Sequence, residues 1–501
     1  MGAPLVLRVW RPVGAHAARG RVRPGGSVRR LVRRAAPHAP VAALVAAYAW
    51  YFARLSVAVQ DGYATPGFDM GIFDQGVWLL SHFHAPYVTV MGRDLFGDHT
   101  SFVLLLAVPL YWLHDAPQTL LVLQACLIAA AAVPVYLVGL RLLRSGVLAT
   151  ALAGAYLLNP ALEHGNLEQF HPEAFLVLSI SVAIWAAIAD RRRWLWAGVV
   201  LSLLVKEDTA ALIVPLGVWV ALRRDRRTGI AVSVLGAAWT VFASKVVIAL
   251  LLGTSSFYAN RIPFGGFGGL FTTVVEHFGT FWDYIRSGTR GFYLWQLGCS
   301  TGWLWLLSPE VAAIGIVTFA ENTISDFGYM QQIDYHYTLP LVPVLAMGTV
   351  WGIARPTTTA VRRAATAVAL ASAVVSCALW GLGPFSRDVY PHLPPGSEAV
   401  AEINAVRAAI PPDAVISAYY AYVPHVDHRL RCYQWPTPFA AQYWDLYTEE
   451  GQRLPFAGQV RYLFLPTTGV DDPGLLAAIR GDFRVVRTNA QATLWERRGT
   501  T

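Results

Sequence analysis

"TLLVLQACLIAAAAVPVYLVGL", Thr119 to Leu140, is an apolar run that reaches the ~20 residues a helix needs to cross a bilayer. "GIAVSVLGAAWTVFASKVVIALLLG", Gly229 to Gly253, does the same, and several further runs approach that length. Of the 501 residues, 55% are hydrophobic and only 14% charged, where soluble chains carry about a quarter. The composition excludes an ordinary soluble protein and predicts a mainly α fold, a polytopic transmembrane helical bundle. The four cysteines, Cys126, Cys299, Cys377 and Cys432, are scattered, which argues against a disulfide framework or a thiolate metal cluster.

Arginine placement orients the bundle, because short basic loops tend to stay cytoplasmic. Arginine concentrates in the N-terminal tail, "RLLRSG" (Arg141 to Gly146), "DRRRW" (Asp190 to Trp194), "RRDRR" (Arg223 to Arg227) and "ARPTTTAVRR" (Ala354 to Arg363). All of these share one side only if "HTSFVLLLAVPLYWLH", His99 to His114, lies along the outer surface without crossing. About eleven spans follow, from Val41 to Gln60 at one end to Ala365 to Leu382 at the other. Residues 1–40 read as a disordered basic cytoplasmic tail, 41–383 as the membrane domain with an outer loop over 61–117, and 384–501 as a small extracytoplasmic α/β domain. In that last part Glu398 to Ile410 patterns as an amphipathic helix, and "AVISAYY", "VRYLFLP", "FRVVRT" and "ATLWERR" pattern as strands. The aromatic-rich stretch Tyr419 to Tyr447 suits either a packed core or stacking on sugar faces.

This threading puts the unusual polar clusters on the outer side. In "GFDMGIFDQGVW", Gly67 to Trp78, Asp69 stands where a helix from Met70 to about Phe83 would begin. An aspartate there can cap free N–H groups or serve as a base. Asp74 is five residues on, roughly 140° around an ideal helix, so the two need not share a site. "GDHTSF" adds Asp98 and His99, with an N-cap as the plain structural role for Asp98. "NLEQFHPEAF" places Glu168, His171 and Glu173 within six residues, a set that can hold a divalent cation although it lacks HExxH-like spacing. No cofactor is certain from the sequence, and that cation is the one candidate. "LVKEDTA" interrupts an apolar run with Lys206, Glu207 and Asp208, either a solvated hairpin tip or a functional cluster at the membrane surface. Lys206 is one of only two lysines, and its ammonium suits a lipid phosphate. "DYHYTLP" brings His336 and two tyrosines to the start of a late span.

At "FDMGIFDQGVW", "GDHTSFVLLLAVPLY", "NLEQFHPEAF", "LVKEDTA" and "YHYTLPLVPVL", in this order, the chain resembles a family of predicted bacterial multi-spanning membrane proteins. More distantly it is similar to the GT-C glycosyltransferases. That resemblance implies a sugar taken from a polyprenyl-phosphate donor at the outer face of the membrane and passed to a glycan, lipid or protein acceptor. It implies that Asp69 is the catalytic carboxylate and sets Asp98 and His99 where many members have a His-Pro-Pro segment. The polar clusters themselves make Asp74, Asp98, His99, Glu168, His171, Lys206, Glu207, Asp208 and His336 the candidates for substrate binding. Met70 stands where the family's motif has a second acidic residue, and Thr100 and Ser101 where many members have prolines. Membrane lipids are the other expected partners, and no nucleic acid is expected. A transporter or lipid flippase, and a non-catalytic envelope scaffold with the same fold, are the alternative functions.

Overall fold

A computed structural model describes residues 36–253, 261–442 and 450–499. The expected N-terminal tail lies almost wholly outside the described residues, as do 254–260 and 443–449. From Val41 onward the chain forms one compact unit. Helices dominate it, and every stretch expected to cross a membrane is helical over most of its length. Among the described residues, five helices are long and apolar enough to cross on their own: Ala36–Asp61, Gln118–Leu143, Arg226–Leu252, His336–Ala354 and Thr359–Trp380. Shorter apolar helices, among them Gly146–Leu157, Glu173–Ala189 and Ala210–Arg223, pack between them.

Three expected spans are broken, and the breaks have local causes. Val147 to Leu162 divides at Leu158 and Asn159, where Asn159 caps the next helix, Pro160–Leu167. Gly291 to Leu307 comes as a helix Arg290–Cys299 and a 3-10 turn Leu304–Leu307, separated where Gly302 and Trp303 take positive φ values of 61° and 59°. Val311 to Ile324 opens on a 3-10 turn, Ala313–Gly315, before the helix Ile316–Ile324. Non-helical backbone at such depth is tolerated where protein buries it. His99 to His114 does not form a span: it folds into a 3-10 helix Phe102–Leu106 and a single turn Val108–Tyr111, with Leu106, Trp112 and Leu113 exposed. The connection ahead of Arg290 contains two short helices, Phe267–Glu276 and Phe278–Arg286, which expose Phe267, Phe271, Phe278 and Trp282. Apolar side chains on short amphipathic helices are the pattern of segments that lie in a membrane interface.

The C-terminal part contains the expected helix, Glu398–Arg407, capped by Ser397, whose hydroxyl accepts from the Val400 N–H. Its five-stranded sheet runs, in spatial order, Cys432–Gln434, Ile416–Ala418, Tyr462–Pro466, Ala492–Arg497 and Phe483–Thr488. The first three strands are parallel and the last two antiparallel. Tyr433, Trp435 and Phe439 from the aromatic stretch pack with Leu463, Leu465 and Phe483 in the core beneath it. The connection Val423 to Arg431 leaves the sheet and packs on the long loop that follows the first helix. There Gln75 Nε2 donates to the Arg429 carbonyl at 3.0 Å, and Thr89 Oγ1 donates to the Cys432 carbonyl at 2.8 Å.

Candidate functional site

The turn Gly67–Gly71 sets the first wall. Asp69 sits at φ 73° and ψ −76°, the strained γ-turn conformation that a side-chain-bearing residue rarely adopts. The C-terminal part holds it there. Gly67 N–H donates to the Tyr420 carbonyl at 2.7 Å and Phe68 N–H to Gln434 Oε1 at 2.9 Å. A Cβ on Gly67 would lie 2.6 Å from Gln434 Oε1 and 2.8 Å from Val423 Cβ, so glycine permits the approach. The expected helix from Met70 with Asp69 as its N-cap is therefore corrected: the helix is Ile72–Ser81, its N-cap is Gly71, and no side chain caps it. The turn frees the Asp69 carboxylate to face a cavity, with a third of its side chain exposed.

A buried amide builds the second wall. Gln124, in the helix Gln118–Ala130, donates to the carbonyls of Gly165 at 2.9 Å and Gln169 at 2.5 Å, and accepts the His171 N–H at 2.8 Å. These bonds fix the segment between two helices, in which Gln169 has a positive φ of 147°. His171 is thereby set with Nε2 at 3.6 Å from Asp69 Oδ2, an ion-pair contact too long for a hydrogen bond. Its ring stacks on His336 at 3.7 Å between centroids and 20° between planes. Glu168 accepts the His336 backbone N–H at 2.6 Å and lies 3.3 Å from its Nδ1. Burial alone would push the His171 pKa down, but Glu168 and Asp69 raise it to about 9. Burial would likewise raise that of Asp69, yet His171 and His336 hold it below the usual carboxylate range.

Charged residues close the remaining sides. Lys206 Nζ lies 3.1 Å from Glu173 Oε1, both largely buried. His99 Nδ1 lies 2.7 Å from Glu207 Oε1, and the Thr100 N–H donates to the other oxygen at 3.2 Å. Asp98 receives the buried Arg93 through Nη2 at 2.6 Å and Nε at 2.8 Å. Arg261 lies over the Phe327 ring at 4.2 Å, with Tyr337 adjacent. Together these surround a cavity of ≈ 850 Å³, within the usual range for a small-ligand site.

Seven of the ten residues expected to act in catalysis or substrate binding line this cavity: Asp69, Asp98, His99, Glu168, His171, Lys206 and His336. Glu207 stands behind His99, and Asp208 faces a smaller cavity beyond Lys206. Asp74 is wholly buried elsewhere, against Tyr111 and His428, because it projects from the face of Ile72–Ser81 that meets the C-terminal connection. The expected cation set Glu168, His171 and Glu173 is corrected at one member. Glu173 pairs with Lys206, and the ligand atoms that lie within 4.8 Å of one another are those of Glu168, His171 and His336. Neither ring nitrogen of His171 has a hydrogen-bond partner among the described residues, so this trio fits a divalent cation. Sequence reasoning missed Arg261, Phe68, Gln169 and Phe327. Only Arg261 left a signal, an arginine on the side that the basic loops avoid.

The family described as "Predicted membrane protein (DUF2079)" matches residues 63–454. Among solved structures, ArnT from Cupriavidus metallidurans bound to undecaprenyl phosphate superposes with a TM-score of 0.57 at 14% identity, covering 92% of this chain and 98% of that one. The apo state of the same protein gives 0.53 at 14% identity, covering 94% and 98%. The chain thus has an ArnT-like fold. A search of curated proteins finds no match.

Proposed function

We propose that this chain, which belongs to the predicted membrane protein family DUF2079, transfers a sugar from a polyprenyl-phosphate donor to an acceptor hydroxyl at the outer face of the membrane. The observation that carries the reading is one ionised carboxylate, Asp69, set in a strained turn on a large cavity that also presents Lys206, Arg261 and the His171–His336 pair. The similarity of fold to a protein solved with undecaprenyl phosphate supports the donor class.

The chemistry needs little more than these groups. Asp69 takes the hydroxyl proton as the acceptor oxygen attacks the anomeric carbon, and the sugar–phosphate C–O bond breaks with its electron pair going to phosphate. Phosphate is a good leaving group, so charge stabilisation is the main requirement, and Lys206 and Arg261 supply it. Hydrolysis of a glycoside would call for two carboxyl groups at a set separation to handle a poorer leaving group. A divalent cation on Glu168, His171 and His336 would add further neutralisation of the phosphate.

Purified protein in lipid vesicles, given polyprenyl-phosphate-linked sugars and candidate glycan, lipid or protein acceptors, tests this. Transfer is expected with the native chain and not with Asp69→Asn. Absence of transfer across the donor panel would reject the transferase reading, and transfer by Asp69→Asn would remove Asp69 from the chemistry.

A further inference from the structure

A second cluster of ionisable groups lies outside the cavity, where the C-terminal connection meets the helix Ile72–Ser81. Asp74 and Asp427 are 0% and 1% exposed, and their ligand atoms and that of His428 all lie within 4.8 Å of one another. Asp74 Oδ1 accepts from the Tyr111 hydroxyl at 2.5 Å and lies 3.1 Å from His428 Nε2. The other carboxylate oxygens, Asp74 Oδ2 and both of Asp427, have no hydrogen-bond partner among the described residues. Buried carboxylate oxygens left without a donor are costly, and native proteins satisfy them with a proton, a donor or a cation.

The surroundings favour the cation. His428 Nδ1 lies 3.2 Å from Asp115 Oδ1, so the Nδ1–H is engaged and Nε2 is aimed at the two aspartates. A histidine whose second ring nitrogen donates to a carboxylate is the usual outer arrangement of a metal-bound imidazole. Trp78 stacks on the same ring, at 5.8 Å between centroids and 24° between planes, and restricts its rotation.

We infer that Asp74, Asp427 and His428 form a divalent metal site, with Asp115 and Tyr111 orienting the ligands. Two carboxylates and one imidazole make a mixed oxygen and nitrogen set that suits zinc better than calcium or magnesium, which prefer all-oxygen shells. Binding releases the Nε2 proton of His428. The metal ties together segments more than 350 positions apart in sequence, 354 between Asp74 and His428, and it does so beside the turn that presents Asp69. The role is to fasten the C-terminal part to that turn, and it is independent of whether the cavity transfers sugars.

The test uses full-length protein in nanodiscs, stripped with chelator, re-equilibrated with Zn²⁺ and assayed for bound metal, with Co²⁺ visible absorption as the signature of coordination. Glu168→Gln disables the other candidate trio. That variant is expected to keep one tightly bound Zn²⁺, whereas Asp427→Asn in the same background loses it. Asp115→Asn, at a partly exposed position that touches no metal, is expected to weaken Zn²⁺ binding by about 10- to 100-fold. Chelator is expected to lower the thermal midpoint of the Glu168→Gln protein and to leave that of the Asp427→Asn protein unchanged. No Zn²⁺ on the Glu168→Gln protein would overturn the site and leave Asp74 and Asp427 sharing one proton. Undiminished binding in both Asp427→Asn and Asp115→Asn would overturn it as well.

Discussion

Asp69 combines a backbone conformation that costs energy with a side chain that no local role explains, and such strain persists where the surrounding structure over-determines it. Because it caps no helix, Asp69→Asn should leave the thermal midpoint close to that of the native chain. The same change should lower transfer about 10² to 10⁴-fold, the usual effect of losing a positioned base. Lys206 behaves differently, since its ammonium is buried against Glu173. Lys206→Met leaves that carboxylate unpaired, and breaking a buried pair from one side costs roughly 3 to 5 kcal/mol. Lys206→Met with Glu173→Gln removes both charges and should recover most of the stability, but donor affinity should stay reduced. Thermal unfolding and binding of a polyprenyl-phosphate analogue, measured on both variants, separate the two effects; recovered binding in the double variant would place the phosphate elsewhere. Sequence alone made Asp69 and Lys206 stand out, because charge in an apolar neighbourhood is conspicuous. It left Arg261 in the background, since a lone arginine gains meaning only once Phe327 and Tyr337 are folded against it.

At the scale of elements, the site depends on a support that touches no substrate. It is Gln124, whose side chain bonds the backbone of Gly165, Gln169 and His171 in the segment leading to the site. Gln124→Leu keeps the volume and leaves those groups buried without partners, at about 1 to 3 kcal/mol each. Activity should fall together with stability, checked by unfolding and transfer assays on one preparation; full activity would mean the segment holds its shape unaided. The long helices were legible from periodicity, and four of the five strands of the C-terminal sheet from short β-branched and aromatic runs bounded by turn residues. The strand Cys432–Gln434 was not, because it lies inside an aromatic run without alternation. The N-cap role of Asp69 was misread for a related reason. An aspartate ahead of an apolar stretch is a sound local signal for a cap, and here a contact from more than 350 residues away, Phe68 N–H to Gln434, overrides it.

At the scale of the whole molecule, the arrangement of charge makes a claim about which way the protein sits. The Arg-bearing segments at Arg141 to Gly146, Asp190 to Trp194, Arg223 to Arg227 and Ala354 to Arg363 join the helices at the ends opposite to Asp69, Glu173, Lys206 and His336 along the chain's alternation. The exposed aromatic helices Phe267–Glu276 and Phe278–Arg286 come from a connection on the cavity side. Positive-inside bias then predicts the basic ends in the cytoplasm, and the cavity with the C-terminal sheet outside. Impermeant thiol labelling of intact cells decides this, in a Cys126→Ser background because Cys126 is an exposed thiol. Asp413→Cys, on an exposed turn ahead of the first sheet strand, should label in intact cells. Thr357→Cys, exposed in the basic segment between the last two long helices, should label only after the membrane is permeabilised. The reverse pattern would turn the molecule over and put the cavity on the cytoplasmic side, where a donor would have to be drawn from the inner leaflet. Labelling of both positions in intact cells would instead require an additional crossing between them, which Thr359–Trp380, the single long helix separating them, does not provide.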